Sequence, residues 1–328
     1  RIRPSRPMAT VRIIRALLQF GVTLLCATFS GYAAEGPTRS SAHTPPRYAL
    51  KADQYWQLNS PDGRSFEASG LVLLPDGNVL TESDKHTGIY RIELLNGTNA
   101  ANLVRLPNCF TDDQLAPFAK EKIGAYDFEG ITRDDEGRLY LCEEANRWIL
   151  RFDPRTHTVE RLTIDWSPVK KYFHPTNRNA SFEGMAIGDG KLYVANEHQV
   201  GRIIVVDLAT LKVESDFSVK PTGNQARDIH YSDLSWFDGS LFALLRESSC
   251  ILKVDPATRK VLAEYSFSDM ENQPEVLYKN KYPTSTMEGL AVDKDSFWLC
   301  TDNNGRPRVR YPNDTRPTLF KCPRPDRK

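Results

Sequence analysis

The sequence predicts an all-β fold: a β-propeller of five blades, with six as the alternative count, and four antiparallel strands per blade. Three observations point there. Five segments repeat one pattern of apolar runs. Each segment turns at the same place, in most copies at a hairpin signal. The copies are spaced at 60, 54, 49 and 56 residues, measured between Ser69, Glu129, Glu183, Ser232 and Glu288.

Self-similarity at a near-constant period marks a repeat architecture. The copies begin at Ala68, Phe128, Phe182, Tyr231 and Met287. Each opens with an apolar run, turns at Asp-Gly or a similar pair, and enters a second apolar strand; Asp-Gly between apolar runs is a strong hairpin signal. A polar cluster follows, then in the first four copies a third strand ending near an acid. Several copies continue into a fourth strand, over residues 158–164, 213–219 and 261–267. Four antiparallel strands, repeated, make propeller blades. The surplus over a minimal blade lies in the connections 109–124, 166–180, 220–230 and 270–286. The fifth copy has residues 318–322 as its third strand, and residues 55–58, from the other end of the domain, can supply the fourth and close the ring. A degenerate sixth copy in the connections, or a two-sheet sandwich, are the competing arrangements; five in-register copies disfavour the sandwich.

The N-terminal region reads differently. Residues 1–34 carry five arginines and no acid, then the apolar run 16–29, then Gly31-Tyr32-Ala33-Ala34. That is the order of a secretory signal, with Met8 a plausible start, so a secreted or periplasmic protein is expected. A retained membrane anchor is the alternative, but the run is short and interrupted for a spanning helix, and no second stretch of spanning length follows. Cys26 lacks the small residues before it that lipid attachment needs. Residues 35–52, rich in Thr, Ser, Pro and Ala, are expected to form a loose leader, and residues 53–328 a single propeller domain.

Removing the five arginines from the 43 basic residues leaves 38 against 42 acids, a net charge of −4 with histidine neutral. No basic stripe suggests a nucleic-acid partner. Cys109, Cys142, Cys250, Cys300 and Cys322 remain after the signal; their spacing is neither CxxC nor zinc-like, and they read mainly as buried strand residues, with one disulfide an option.

Residues at one repeat position form a ring around a propeller axis. The first ring is Ser69, Glu129, Glu183, Ser232 and Glu288; the second, at the end of each second strand, is Asp84, Glu144, Glu197, Arg246 and Asp302. Like charges brought together repel unless something neutralises them. The first ring is therefore expected to hold a divalent cation, calcium above all, since calcium takes oxygen ligands in flexible number. No histidine recurs at these positions, which argues against zinc or copper. The alternative is structural: Glu-Gly at the head of an inner strand can bond the next blade's amides, with Gly130, Gly184 and Gly289 allowing close packing. The connections on the same face carry Lys170, Lys171, His174, Arg178, Arg227, Lys279 and Arg306, a rim suited to a small anionic substrate or ligand, or else ordinary solvated loop charge.

The Phe-Glu-Gly-Ile/Met and Met-Glu-Gly-Leu openings, followed by Leu-Tyr-Leu or Phe-Trp-Leu and then Glu or Asp-Asn, resemble the "esterase-like activity of phytase" family and the related SdiA-regulated propeller proteins. The resemblance spans residues 60–322 and implies hydrolysis of a phosphate or carboxylic ester. No Gly-x-Ser-x-Gly elbow, P-loop or dinucleotide fingerprint is present. Ser69 and Ser232 have no histidine placed by the repeat to activate them. Water activated by the metal is then the nucleophile, with Glu144 or Glu197 as general base. Three readings follow: a metal-dependent hydrolase of an anionic ester, a non-catalytic binding or scaffolding propeller at the cell envelope, and a metal-dependent lactonase, which the basic rim disfavours. Fold alone does not choose among them.

Overall fold

The computed structural model describes residues 44–197, 201–223, 229–279 and 285–327. The signal at 1–34, the first half of the leader (35–43), and Arg227 of the predicted rim lie outside the described residues. Two short strands come first, β1 (Arg47–Ala49) and β2 (Gln54–Asn59). Blade 1 is β3 (Ala68–Leu73), β4 (Val79–Ser83), β5 (His86–Leu94) and β6 (Ala100–Arg105). Blade 2 is β7 (Phe128–Arg133), β8 (Leu139–Glu143), β9 (Trp148–Asp153) and β10 (Thr158–Arg161). Blade 3 is β11 (Phe182–Gly188), β12 (Lys191–Asn196), β13 (Arg202–Asp207) and β14 (Lys212–Phe217). Blade 4 is β15 (Asp233–Phe237), β16 (Ser240–Leu245), β17 (Cys250–Asp255) and β18 (Lys260–Ser266). Blade 5 is β19 (Met287–Val292), β20 (Ser296–Thr301) and β21 (Thr318–Pro323), completed by β2.

The predicted closure is present. β2 pairs antiparallel with β21, Trp56 opposite Leu319, and also parallel with β6 of blade 1, Gln57 opposite Ala100. The chain's two ends thus share one sheet, and the outer strands of blades 5 and 1 are joined. The inner strands touch in cyclic order, β3 to β7 to β11 to β15 to β19 and back to β3, so five blades close the ring.

The hairpins form where the sequence signals them. In blades 3 and 4 the first two strands are joined by Asp189-Gly190 and Asp238-Gly239, all four at positive φ, the geometry whose twist matches the flanking strands. The fourth strands begin within one residue of expectation and end one to three residues early. In blade 2, for example, the Ile164 amide bonds back to Leu162 as the chain leaves the sheet.

The core is five apolar clusters, one at each blade–blade interface. Trp56 stacks on Trp298 at 6.2 Å between blades 5 and 1. Phe242, Tyr265 and Phe297 are fully buried between blades 4 and 5. Each such side chain stabilises the fold by about 1.5–3 kcal/mol.

Three expectations need correction. The leader's end is ordered: β1 pairs parallel with β18, Tyr48 stacks on Tyr265, and Leu50 is buried, because this stretch has apolar side chains to cover blade 4. The connections contain helical turns that the strand reading omitted, among them Asp112–Leu115, capped by Thr111 and Gln114, and Ser167–Tyr172. All five described cysteines are buried free thiols, so the optional disulfide is absent; four lie on strands that bury both faces. Among the described residues no helix is long and apolar enough to cross a membrane.

At the axis the inner strands approach so closely that a side chain is excluded. A Cβ on Gly184 would lie 2.4 Å from the Asp233 Cα, and one on Gly130 would lie 2.8 Å from the Gly184 Cα. Gly184→Ala must therefore push blades 3 and 4 apart. It is expected to destabilise the protein by about 1–3 kcal/mol in urea unfolding; an unchanged midpoint would mean the strands have slack.

Candidate functional site

A β-bulge creates the site. In β7, Phe128 pairs with Glu143 and Gly130 with Cys142, leaving Glu129 as the extra residue; Glu183 in β11 and Glu288 in β19 are left over in the same way. Bulges re-aim a side chain. Each of these glutamates meets the second-ring residue of the preceding blade: Glu129 meets Asp84, Glu183 meets Glu144, and Glu288 meets Arg246. Among the described residues, the carboxylate groups whose ligand atoms come together join Glu129 and Glu183 to second-ring residues.

Three carboxylate groups result, each with ligand atoms within 4.8 Å of one another: Glu67, Asp84 and Asp302; Asp84, Asp127 and Glu129; Glu144, Glu183 and Glu197. All lie at the mouth, where second-ring amides bond to the connections: Glu144 N–H donates to the Asp127 carbonyl, Glu197 to Ser181, and Asp302 to Thr286.

In the blade 2–3 group, Glu144 is fully buried; its Oε1 accepts the Ser181 amide at 2.8 Å, and its Oε2 has no hydrogen-bond partner. Burial pushes its pKa up to about 8, and burial with the Glu197 and Glu144 charges pushes Glu183 well above the ordinary range. Glu197 is 15% exposed and accepts from Arg246 Nη2 at 3.0 Å. Around Asp84, burial pushes the pKa up to about 7 although Lys85 bonds Oδ2; Oδ1 has no partner. Lys85 also reaches Glu67 at 3.3 Å. Burial, then the Glu183 charge, holds Glu129 well above its usual value, and burial with Glu288 does the same for Asp302, which accepts the Asn304 amide.

The remaining first-ring residues play other parts. Glu288 is ion-paired with Arg246, whose guanidinium spans to Glu197 and so ties blades 3, 4 and 5 through side chains, not through the backbone amides that the alternative reading expected. Glu288 holds Arg246 firmly charged. Ser69 is 1% exposed with its hydroxyl unpartnered, and Ser232 stands beside Glu288.

Two residues break the repeat deeper in. Asp233 takes the position that glycine fills in the other blades, and it accepts amides of Leu234 and Leu290, each at 2.7 Å. Glu82 stands where other blades carry Cys142, Ala195, Leu244 and Cys300; it is fully buried with neither oxygen hydrogen-bonded.

The rim is less uniform than expected. Lys170 and Lys171 are exposed on the 167–172 turn, Lys171 over the Tyr172 ring, and Lys279 is exposed. His174 Nδ1 accepts the amides of Thr176 and Asn177, Arg178 donates to the Ala145 carbonyl at 2.9 Å, and Arg306 is half-buried with its amide on Asn303.

Sequence reasoning missed Glu67, Asp127, Lys85 and Arg147, and placed His230 only among the basic connections before the fourth copy. Glu67, Asp127 and His230 sit two residues before the first ring, a third repeat position that the same alignment contained. His230 Nδ1 lies 2.8 Å from Glu247 and 3.6 Å from Glu197, so a histidine does stand at the mouth, although the repeat supplies only one. Arg147 bonds Ser181 Oγ at 2.9 Å and the His174 carbonyl.

A family model described as phytase-like, esterase-like activity of phytase, matches residues 64–305. Among solved structures, the glutaminyl cyclase of Myxococcus xanthus is similar with a TM-score of 0.55 at 16% identity, covering 85% of this chain and 97% of that one. The PQQ-bound aldose sugar dehydrogenase of Streptomyces coelicolor gives 0.43 at 13%, covering 85% and 100%. At such identity the first shows the fold alone, and the second carries no argument. No curated protein matches.

The raised carboxyl groups set a pH dependence. Folded and metal-free, Glu144 and Asp84 keep protons to about 8 and about 7, whereas unfolded they release them near the ordinary carboxylate values. The folded state then binds more protons between about pH 4 and 8, so its stability falls as pH rises through that window. Asp314, whose pKa Arg316 and Arg308 lower despite partial burial, acts only below it. In chelator the melting temperature should be lower at pH 8 than at pH 5; a rise would show that these acids are ionised and compensated.

Proposed function

The chain belongs to the phytase-like family, esterase-like activity of phytase, and on that premise we propose that it is an exported, calcium-dependent hydrolase of a phosphate ester or similar anionic ester. The observation that carries this reading is the Glu144–Glu183–Glu197 group: three carboxylates within reach of one ion, two of them buried, and a Glu144 oxygen with no partner. Burying such charges uncompensated is costly. The donor set fits a hard cation, being all carboxylate oxygen.

When bound, the cation offsets charge developing on a phosphoryl or carbonyl oxygen and acidifies water. Glu144 and Glu183, the buried pair, serve as ligands. Glu197, open to the mouth, is suited to accept a proton. His230 can pass it on, its ring oriented by Glu247. Arg178, Lys170, Lys171, Lys279, Arg306 and Arg227 would receive the remaining charge of an anionic substrate, without base-specific contacts to nucleic acid. The basic, apolar, small-residue order of residues 1–34 supports export.

A second reading, a non-catalytic binding propeller, is favoured by one feature: Arg246 already neutralises Glu288 and touches Glu197, as a purely structural network would.

Calcium should raise the melting temperature of chelator-stripped protein, by about 2.7 kcal/mol of stability at a hundredfold excess over its dissociation constant. Glu183→Gln should blunt that response, and a panel of phosphate and carboxylic esters should show turnover that chelator abolishes. Turnover indifferent to chelator removes the calcium dependence, and no turnover on any ester removes the hydrolase. Export is checked by fractionating cells and sequencing the mature N-terminus, expected near residue 35; an intact N-terminus on cytoplasmic protein refutes it.

A further inference from the structure

The mouth neutralises its acids interface by interface, and the neutralising group differs. Between blades 4 and 5 the group is Arg246, against Glu288. Between blades 2 and 3, Glu144 and Glu183 have no ion-paired side chain among the described residues. Around Asp84, where blades 5, 1 and 2 meet, the arrangement is intermediate. Five carboxylates from two overlapping groups share Asp84, and one lysine serves them. Lys85 is 54% exposed, on a long flexible stem, and it bonds only the Oδ2 side of Asp84. Oδ1 is buried, 8% of the residue being exposed, and has no hydrogen-bond partner. Arg246, by contrast, is held by two carboxylates of different blades.

We propose that Glu67, Asp84 and Asp302 form a second calcium site, distinct from the blade 2–3 group, and that the Lys85 ammonium is its tethered competitor. One lysine cannot balance five acids; a divalent ion entering at Asp84 Oδ1 adds charge where it is lacking and displaces a half-exposed side chain into water. Asp127 and Glu129, on the other side of Asp84, add to the field that holds the ion. An ammonium and a calcium ion repel at such range, so the two occupy the site in turn. This deepens the proposed function, resting on its cation-binding mouth but not on any turnover.

The test is calorimetric titration of the chelator-stripped mature protein with calcium alone. Wild type should bind two ions per chain. Asp84→Asn should bind one, and Glu183→Gln should lose the other. Lys85→Met, at a half-exposed side chain, should keep two ions and tighten the weaker step by about tenfold, as loss of a competing unit charge a few ångströms away would. One ion in wild type, retained in Asp84→Asn and lost in Glu183→Gln, overturns the second site and leaves the hydrolase standing. Two ions with Lys85→Met unchanged in affinity overturns the competitor role. No calcium at all ends both.

Discussion

The structure depends on how closely five inner strands converge. Gly70, Gly130, Gly184 and Gly289 stand where a Cβ would strike the neighbouring strand or a side chain packed against it. A chain obliged to place glycine there can seat the adjacent polar residue only by bulging, and the bulge turns that residue towards the preceding blade. Backbone proximity thus creates the carboxylate groups at the blade interfaces. In the fourth blade Asp233 replaces the glycine. It is tolerated because amides of its own and a neighbouring inner strand converge on its carboxylate.

Charge then differentiates interfaces that geometry makes alike. The same pair of repeat positions is Glu288 with Arg246 at one interface, Glu183 with Glu144 at another, and Glu129 with Asp84 at a third. The first is a completed ion pair that ties blades together. The others are acids pressed against acids, stable only with protons or a cation. A single repeated scaffold therefore carries an ion-paired tie at one interface and clustered acids at others.

The fold was largely legible in the sequence, because each propeller blade is specified by local signals. Alternating apolar runs and Asp-Gly pairs mark strands and hairpins wherever they occur, and five copies fix the count. The closing strand was legible too, since a fifth copy short of one strand needs a partner and residues 55–58 read as one. The helical turns were not, being short, capped by local bonds such as Thr111 with Gln114, and free of any periodicity.

By itself the sequence determined the architecture and which residues stand at the mouth, since both follow from period and residue type. Which carboxylates face one another was decided only in three dimensions. A bulge shifts the register by one residue, and one residue in a strand is the difference between the axis and the neighbouring blade. Lys85 and His230 reach the acids with residue types that the other copies do not carry at those positions, and the lack of partners at the Asp84 and Glu144 oxygens depends on packing from other blades. Contacts between residues distant in the chain set these features, and no pattern within a single copy encodes them.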